Sequence, residues 1–476
     1  MTIRSASARV AALVSISLAV TAAVQAAPAK TVKAGKSTAL DRYVQAPDPH
    51  YKYELVKTIP AEKYTSYVLD MTSQEWRSAS EVNRTLWRHW LIITVPKDVK
   101  HSTGFLFVTG GSNGGKPPAN PDMGLVDAAL TTHSVVTELK MVPNQPLVFP
   151  DDGKDQKEDG IIAYTWDKYL RGGDERWPLR LPMTKSAVRA MDTVTRFLAS
   201  AEGGKVDVTN FVVSGGSKRG WTSWTTAAVD KRVVAVIPIV IDVLNFEPSL
   251  DHHYRAYGFF APSVGDYTAN GIMDWAGTKR FQELMRIEEP FAYRDRLTMP
   301  KFVMNAAGDQ FFLPDSSQFY WNDLKGEKYL RYVPNADHSL RGTDALLTVV
   351  AYYNAVLNNK PRPKYSWKFE KDGSIAVTTP DQPKEVKLWQ ATNPEGRDFR
   401  VEKIGKVYKS TTLQPRSGGN YVAKVDKPEK GFTAYFVELT FDSGVKYPFK
   451  FTTAVRVTPD ILPGPAYKPA VRPKSK

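Results

Sequence analysis

Three polar residues, far apart in the sequence, have the types and the order that nucleophilic catalysis requires. Ser217 supplies a hydroxyl, Asp309 a carboxylate and His338 an imidazole. In a catalytic triad the imidazole takes the proton of the attacking hydroxyl, and the carboxylate holds the imidazole and stabilises its cation. We therefore predict that these three residues cleave an ester or amide, in a small molecule or a polymer, and that the oxygen of Ser217 attacks the carbonyl carbon.

Other aspartates compete with Asp309 for the role of the acid. Asp309 follows the apolar run 302–307, which has the composition of a buried strand, and this position makes it our prediction. The alternatives are Asp242, Asp315 and Asp337. Of the seven histidines, His338 is the one that lies in a loop after a late strand, which favours it as the base.

The stretch around Ser217 has the pattern of a nucleophile elbow, a sharp turn from a strand into a helix that exposes the serine hydroxyl. The apolar run 211–213 predicts the strand, and small residues from Trp221 onward predict the helix. Gly215 precedes the serine by two residues, but Arg219 stands where the second glycine usually falls, and Gly220 follows it. The alternative is an ordinary strand-to-helix turn in which glycine allows tight packing.

A glycine-rich loop is a candidate for the oxyanion hole, the set of amides that binds the developing negative charge. The apolar run 104–109 predicts a strand, and the loop follows it directly. In such sites one donor comes from this loop and another from the residue after the nucleophile. The predicted donors are Gly110, Gly111, Ser112, Asn113 and Lys218. The alternative is a flexible surface loop.

Several basic residues are candidates for substrate binding. Arg219 could bind a substrate carboxylate or form an ion pair inside the fold, and His252 and His253 could contact the substrate or remain a solvated pair. None of the seven histidines has the spacing of a zinc motif, so we predict no metal and no cofactor.

The elements that must position these residues alternate between strand and helix, and the strands read as continuous apolar runs. This pattern predicts an α/β fold with a mostly parallel sheet covered on both faces, the doubly wound arrangement. Residues 64–72 and 87–95 alternate and predict an antiparallel pair at a sheet edge, and 40–60 predict an extended arm. Helices are predicted at 127–132, 183–198, 316–324 and 343–357, and further strands at 134–139, 233–241 and 328–333.

The remaining segments complete the predicted domain organisation. Residues 27–360 form the catalytic domain, and the aromatic-rich stretch of about 242–297 interrupts the alternation as a lid. Residues 361–460 alternate with period two between turn signals, which predicts an antiparallel β-sandwich as an accessory domain. Residues 461–476 form a basic, proline- and lysine-rich tail.

The first residues and the composition bear on location and partners. Arg4 and Arg9 precede an apolar run and a small-residue site at 24–26, so residues 1–26 predict a signal peptide and export to the periplasm or the medium. No other run is long enough for stable membrane insertion. The chain has no cysteine, which excludes disulfides and thiol chemistry. Its net charge of +14 is spread along the sequence, so we predict no nucleic-acid partner.

The motifs together resemble the PhoPQ-activated pathogenicity-related protein family, which includes the autocrine proliferation repressor proteins. The resemblance runs from about Tyr43 to near Ile461 and is carried by Ser73-Gln-Glu-Trp76, Thr109-Gly-Gly-Ser-Asn113, Pro182-Met-Thr-Lys-Ser-Ala-Val-Arg-Ala-Met-Asp192, Gly215-Gly-Ser-Lys-Arg-Gly-Trp221, Asn305-Ala-Ala-Gly-Asp-Gln-Phe-Phe312 and Asn335-Ala-Asp-His338. The resemblance implies an α/β-hydrolase fold with the three residues above as its triad.

The elbow is also similar to that of glucuronoyl esterases, where a glycine likewise lies three residues after the nucleophile. That local similarity implies acidic-sugar esters as one class of substrate. Two functional hypotheses follow. One is a secreted serine hydrolase, and the other is a secreted virulence or signalling protein that binds without catalysis on a hydrolase scaffold.

Overall fold

A nine-stranded sheet forms the centre of the protein, in a computed structural model that describes residues 37–469. Across the sheet the strands lie in the order β1-β2-β3-β5-β4-β6-β7-β8-β9. The first three strands and the β3–β5 pair are antiparallel, and all pairs from β5 to β9 are parallel. In chain order the strands are β1 (Lys52–Pro60), β2 (Tyr64–Glu75), β3 (Leu86–Pro96), β4 (Thr103–Val108), β5 (Val136–Leu139), β6 (Asn210–Gly216), β7 (Val233–Ile239), β8 (Lys301–Ala306) and β9 (Lys328–Val333).

Helices fill the connections between these strands. They are α1 (Ala39–Gln45), α2 (Met123–Thr132), α3 (Glu158–Leu170), α4 (Arg180–Ala199), α5 (Lys218–Val229), α6 (Phe246–Tyr257), α7 (Gly265–Ala269), α8 (Lys279–Glu288) and α9 (Ala345–Leu357). Shorter 3-10 turns lie at Pro262–Val264, Ile272–Trp275, Pro290–Tyr293, Ser316–Phe319 and Trp321–Asp323. The predicted α/β alternation is confirmed, with ends that differ by a few residues.

Each parallel strand is buried on both faces because helices pack on both sides of the sheet. In β6, Phe211 and Val213 enter the hydrophobic core that contains residues of α4 and α5. Val212, which points to the opposite face, enters the core that contains residues of α2 and α9. A strand buried on both faces has no polar alternation, which explains the continuous apolar runs of the sequence.

The segment 40–60, predicted as an extended arm, instead forms the helix α1 and the edge strand β1. Thr38 caps α1 in a capping box with Asp41, and Leu40 and Val44 of this helix are buried. β1 pairs with β2 in antiparallel register from Lys52 to Pro60. The predicted pair of strands β2 and β3 is confirmed, but β1 lies outside it at the edge of the sheet.

The aromatic-rich insertion after β7, which the sequence predicts as a lid, contains the helices α6, α7 and α8. The predicted helix over 316–324 is wrong in one respect, because the structure has two 3-10 turns there. Tyr320 separates them with a φ of −142°, outside the helical region. Its hydroxyl donates instead to the buried carboxylate of Asp242, 2.5 Å away.

The C-terminal part forms separate antiparallel sheets. A three-stranded sheet has the order β10-β11-β14, and a five-stranded sheet has the order β13-β12-β15-β16 with β17 paired to β15. The elements are β10 (Ser366–Phe369), β11 (Ile375–Thr378), β12 (Glu385–Asn393), α10 (Val401–Ile404), β13 (Lys409–Thr412), β14 (Asn420–Ala423), β15 (Phe432–Phe441), β16 (Phe449–Thr452) and β17 (Arg456–Thr458).

These sheets share a hydrophobic core with the nine-stranded sheet. The ring of Phe451 lies 4.4 Å from that of Tyr329 on β9, measured between centroids. The main-chain amide of Tyr332 donates to the hydroxyl of Thr452. Near the end of the described chain, the amide of Gly464 donates to the carbonyl of Arg255 on α6. The C-terminal sheets thus contact the nine-stranded sheet extensively. The domain limits proposed from the sequence stay predictions.

The predicted signal peptide, residues 1–26, lies outside the described residues. Within residues 37–469 no helix is long and apolar enough to cross a membrane.

Candidate active site

Ser217 lies at the turn between β6 and α5, in a backbone conformation that few residues other than glycine adopt. Its φ is +57° and its ψ is −126°. Its amide donates to the carbonyl of Ile239 at the end of β7, 2.8 Å away, which ties the turn to the neighbouring strand. Strained backbone of this kind is typical of functional turns, and it lifts the serine above the carboxyl edge of the sheet.

Glycines on both sides of Ser217 allow the turn to close. A Cβ atom on Gly220 would lie 2.8 Å from the carbonyl oxygen of Gly215 and 2.9 Å from that of Ile239. A Cβ atom on Gly215 would lie 2.8 Å from atoms of Arg219. The strand and the helix thus approach closely at residues 215 and 220, and both of these positions are glycine.

Asp309 and His338 form a hydrogen-bonded pair at the same edge of the sheet. Asp309 follows β8 and His338 follows β9, and Nδ1 of the imidazole lies 2.9 and 2.8 Å from the two carboxylate oxygens. The amide of Phe311 donates to Asp309, and the side chain of Gln310 accepts from the amide of His338. These contacts place the ring proton on Nδ1 and fix the orientation of the imidazole.

The other ring nitrogen of His338 is buried and has no hydrogen-bond partner in the described part of the chain. A hydrogen bond to the hydroxyl of Ser217 is therefore not formed in this structure. Catalytic hydrogen bonds often tighten only when substrate binds. The ring of Phe311 lies 4.3 Å from that of His338 between centroids, and Phe311 and Ser217 line the same cavity.

That cavity has a volume of about 60 Å³. Its walls come from the elbow, the end of β7, the insertion after β7 and the loop after Asp309. They include Ser217, Lys218, Asp242, Phe246, His253 and Phe311. The lining is mostly apolar with a few polar groups, which is typical of ligand sites.

The two basic residues after Ser217 are paired within the fold. Nζ of Lys218 lies 2.9 Å from Glu158 and 3.0 Å from Asp159. The guanidinium of Arg219 lies 2.7 Å from Glu158 and donates to the carbonyl of Val142. Burial acts to raise the pKa of Glu158, but the Arg219 hydrogen bond and the Lys218 charge outweigh it and lower this pKa to about 2. Of the two roles considered for Arg219, the geometry is that of the internal ion pair.

The glycine-rich loop lies beside the elbow because β4 pairs with β6 up to Val108 and Gly215. The arginine packs against it, since a Cβ on Gly110 would meet the Arg219 guanidinium at 2.6 Å. Asn113 is the exception among the predicted donors, because its amide donates to the Gln145 carbonyl. Its side-chain amide donates to the Pro146 carbonyl, so the main-chain amide of Asn113 is not free for an oxyanion and its side chain is held away by this bond.

Lys218 retains the position expected of an oxyanion donor. It is the first residue of α5, where main-chain amides have no acceptor within the helix. Gly110, Gly111 and Ser112 lie next to the elbow but do not line the cavity within the described chain.

His252 and His253 lie on the same helix but face different surroundings. Nε2 of His252 lies 3.1 Å from both carboxylate oxygens of Asp315, which also binds Arg397 at 2.6 Å. His253 lines the cavity, and its Nε2 accepts the amide hydrogen of Ala261. Burial lowers the pKa of His253 to about 3, so this ring is neutral near pH 7. Of the two residues, His253 is the one that lines the cavity.

The alternative acids have other partners. Asp242 accepts from the hydroxyls of Tyr320 and Tyr332 at 2.5 and 2.6 Å. Burial raises its pKa to about 8, and the two tyrosine hydrogen bonds only partly oppose this shift. Asp315 is bound by His252 and Arg397, and Asp337 accepts from Ser339. The carboxylate that bonds the His338 ring is that of Asp309.

Sequence reasoning missed the carboxylates that neutralise Lys218. Glu158 and Asp159 begin α3 and lie about 60 residues before the elbow in sequence, so no local spacing connects them to it. Arg180, buried beside Glu288 and lining the same cavity, was missed for the same reason. Among residues 37–469 no group of three or more metal-ligating side chains is positioned to hold an ion.

Two features define an α/β-hydrolase architecture. One is the strand order, and the other is the sequence of a serine at the turn after β6, an acid after β8 and a histidine after β9. Within it, the chain belongs to the PhoPQ-activated pathogenicity-related protein family, whose model matches residues 40–400. The family predicted from the sequence motifs is confirmed.

One relative is the autocrine proliferation repressor protein A of Dictyostelium discoideum. It is 40% identical over 459 residues, which cover 90% of this chain and 92% of that protein. Among solved structures, an acetyl xylan esterase from Paenibacillus sp. R4 is 17% identical with a TM-score of 0.47, covering 67% of this chain and 92% of its own. A glucuronoyl esterase from Solibacter usitatus is 13% identical with a TM-score of 0.42, covering 67% and 91%.

Proposed function

We propose that this protein is an exported serine hydrolase that cleaves an ester or amide through Ser217, His338 and Asp309. The observation that carries the proposal is the state of the imidazole. Asp309 holds it through Nδ1, which leaves the buried Nε2 as a proton acceptor without a partner. The strained elbow holds the hydroxyl of Ser217, the proposed nucleophile, at the same carboxyl edge of the sheet.

In the proposed first step, Nε2 of His338 takes the hydroxyl proton while the oxygen of Ser217 attacks the substrate carbonyl. Asp309 stabilises the imidazolium that forms. The proton then passes to the leaving alcohol or amine, and the acyl group stays on Ser217. Water attacks this acyl-enzyme with His338 again as base, which releases the acid and restores the serine.

The tetrahedral intermediates carry a negative oxygen that needs preorganised donors. The amide of Lys218 is one proposed donor, because it lies at the helix N-terminus where unpaired amides favour negative charge. The second proposed donor comes from Gly110, Gly111 or Ser112, in the loop next to the elbow. Asn113 is left out, since both of its amide groups are bound to carbonyls.

The test is turnover of short acyl esters and peptides by the purified protein and two variants. Ser217→Ala and His338→Ala are each expected to lower kcat by about 10⁴-fold or more, because the triad acts as a unit. Ser223→Ala is a matched control, since this serine lies on α5 and donates to the Arg219 carbonyl. Equal loss in the control, or turnover retained by Ser217→Ala, would contradict the proposal.

A second candidate is a secreted signalling protein that binds a partner without catalysis. It is favoured by the name of the 40% identical relative, a proliferation repressor, and by the missing hydrogen bond between Ser217 and His338. A folded wild-type protein that turns over no ester or peptide, yet retains a cell-growth or virulence activity that Ser217→Ala shares, would support this candidate.

A further inference from the structure

The cationic side chains around the cavity are each paired with a carboxylate. Lys218 is held by Glu158 and Asp159, and Glu158 also binds Arg219. Arg180, which is 1% exposed, lies 3.5 Å from Glu288 through Nε. The three cations therefore face three carboxylates, and the group has no net charge.

The carboxyl group of Asp242 does not change this balance near neutral pH. It lines the cavity between two tyrosine hydroxyls, and burial raises its pKa to about 8. An anionic substrate group that entered the cavity would find each cation already compensated. Burying an unpaired charge is costly, so the cavity disfavours an anion.

The neutral imidazole of His253 supplies a donor instead. Because its Nε2 accepts the amide hydrogen of Ala261, the ring proton of the neutral form resides on Nδ1. Among the described residues Nδ1 forms no hydrogen bond, and His253 is a wall of the cavity that contains Ser217. An N–H group without an acceptor, on a residue that lines the cavity, favours a ligand that brings one.

We propose, building on the hydrolase function above, that the substrate is an uncharged ester and that Nδ1–H of His253 donates to one of its neutral oxygens. This assignment allows the acidic-sugar esters that the elbow similarity implied only where the esterified carboxyl is the only acid group in the cavity. A uronate ester is itself uncharged at the scissile group, but a substrate carboxylate elsewhere in the cavity would have no free cation.

A matched pair of small esters tests the charge preference. Dimethyl succinate and monomethyl succinate share one acyl chain, and at pH 7 only the second carries a carboxylate. After correction for its two equivalent ester groups, dimethyl succinate is expected to have a kcat/KM about tenfold or more above that of monomethyl succinate. Equal or higher kcat/KM for monomethyl succinate would overturn the proposal.

Three variants test the donor itself. His253→Asn keeps an N–H group at the position of Nδ1, but its side chain is too short to accept from the amide of Ala261. His253→Gln keeps an acceptor at the position of Nε2 and loses the N–H donor at the position of Nδ1. We expect His253→Gln and His253→Phe to raise KM for dimethyl succinate by about 3- to 10-fold, with kcat less affected. His253→Asn is expected to keep KM near the wild-type value. The reverse order, with glutamine near wild type and asparagine impaired, would show a purely structural role and overturn the assignment.

Binding to Ser217→Ala separates this inference from the proposed function. Calorimetry with this variant is expected to give tighter binding of dimethyl succinate than of monomethyl succinate, and weaker binding after His253→Gln. If wild type turns over no ester, the hydrolase proposal fails, and the calorimetry still decides the present one. No preference between the two esters in calorimetry would overturn it.

Discussion

The substitution Gly220→Ala tests whether the close approach of β6, β7 and α5 builds the elbow. An added Cβ would lie 2.8, 2.9 and 3.1 Å from main-chain atoms of Gly215 and Ile239. Main chain in the centre of a sheet cannot move away as a side chain can, so overpacking costs about 1–3 kcal/mol. Alanine regains about 1 kcal/mol of helix propensity, which leaves a net loss of up to about 2 kcal/mol.

The expected change in Tm is small but measurable by calorimetry. With about 2.1 cal/mol/K of unfolding entropy per residue, roughly 430 residues give about 0.9 kcal/mol/K, and the loss lowers Tm by up to about 2 °C. Turnover is a more sensitive readout, because a displacement of Ser217 by about 1 Å costs about 10²-fold in kcat/KM.

Gly216→Ala is the matched control, since Gly216 also adjoins Ser217 and a Cβ there would meet no heavy atom within 4 Å. This variant is expected to keep its Tm or raise it, because alanine restricts the unfolded chain. If Gly220→Ala matches wild type in both Tm and kcat/KM, or if Gly216→Ala is the more damaged of the two, the close approach at residue 220 does not build the elbow.

Three further substitutions have expected outcomes. Asp309→Asn should lower kcat by about 10⁴-fold at nearly unchanged Tm, because asparagine does not hold the active tautomer of the histidine. Burial raises the pKa of Asp242 from 3.8 to about 8. The stability that its protonated form contributes is therefore lost as pH rises through 8. Asp242→Asn should flatten the fall of Tm between pH 5 and 8.5. The pKa of Glu158 is lowered from 4.5 to about 2. The folding stability that its carboxylate contributes is therefore present above pH 4.5 and lost toward pH 2. Glu158→Gln should lower Tm most at neutral pH.

Wild-type kcat in Asp309→Asn would assign the acid elsewhere. A profile of Tm against pH that is identical in Asp242→Asn and wild type would mean that this carboxyl is ionised throughout. A Glu158→Gln variant that loses more Tm at pH 3 than at pH 7 would reverse the sign derived from the Lys218 and Arg219 pairing.

The sheet and the positions of the proposed triad could be predicted from the sequence because they depend on local patterns. Apolar runs predicted β6, β8 and β9, and a polar residue just after each run is placed at the carboxyl edge of a parallel sheet. The helix α1 was missed although its start carries a capping box, Thr38 with Asp41, that a search for helix caps would detect.

The environment of the site could not be predicted because it depends on contacts distant in sequence. Glu158 and Asp159 reach Lys218 only after α3 packs beside the elbow. His252 and His253 are successive residues on a helix, about 100° apart around its axis. The sequence does not tell which of them faces the cavity and which faces Asp315.

The central claim is that Ser217 is a nucleophile activated by His338. The most direct measurement is reaction with a fluorophosphonate, followed by mass spectrometry of the peptides. One covalent adduct is expected, on Ser217, that forms in wild type and is lost in Ser217→Ala and His338→Ala. An adduct on another residue, or no adduct in folded wild-type protein, would contradict it.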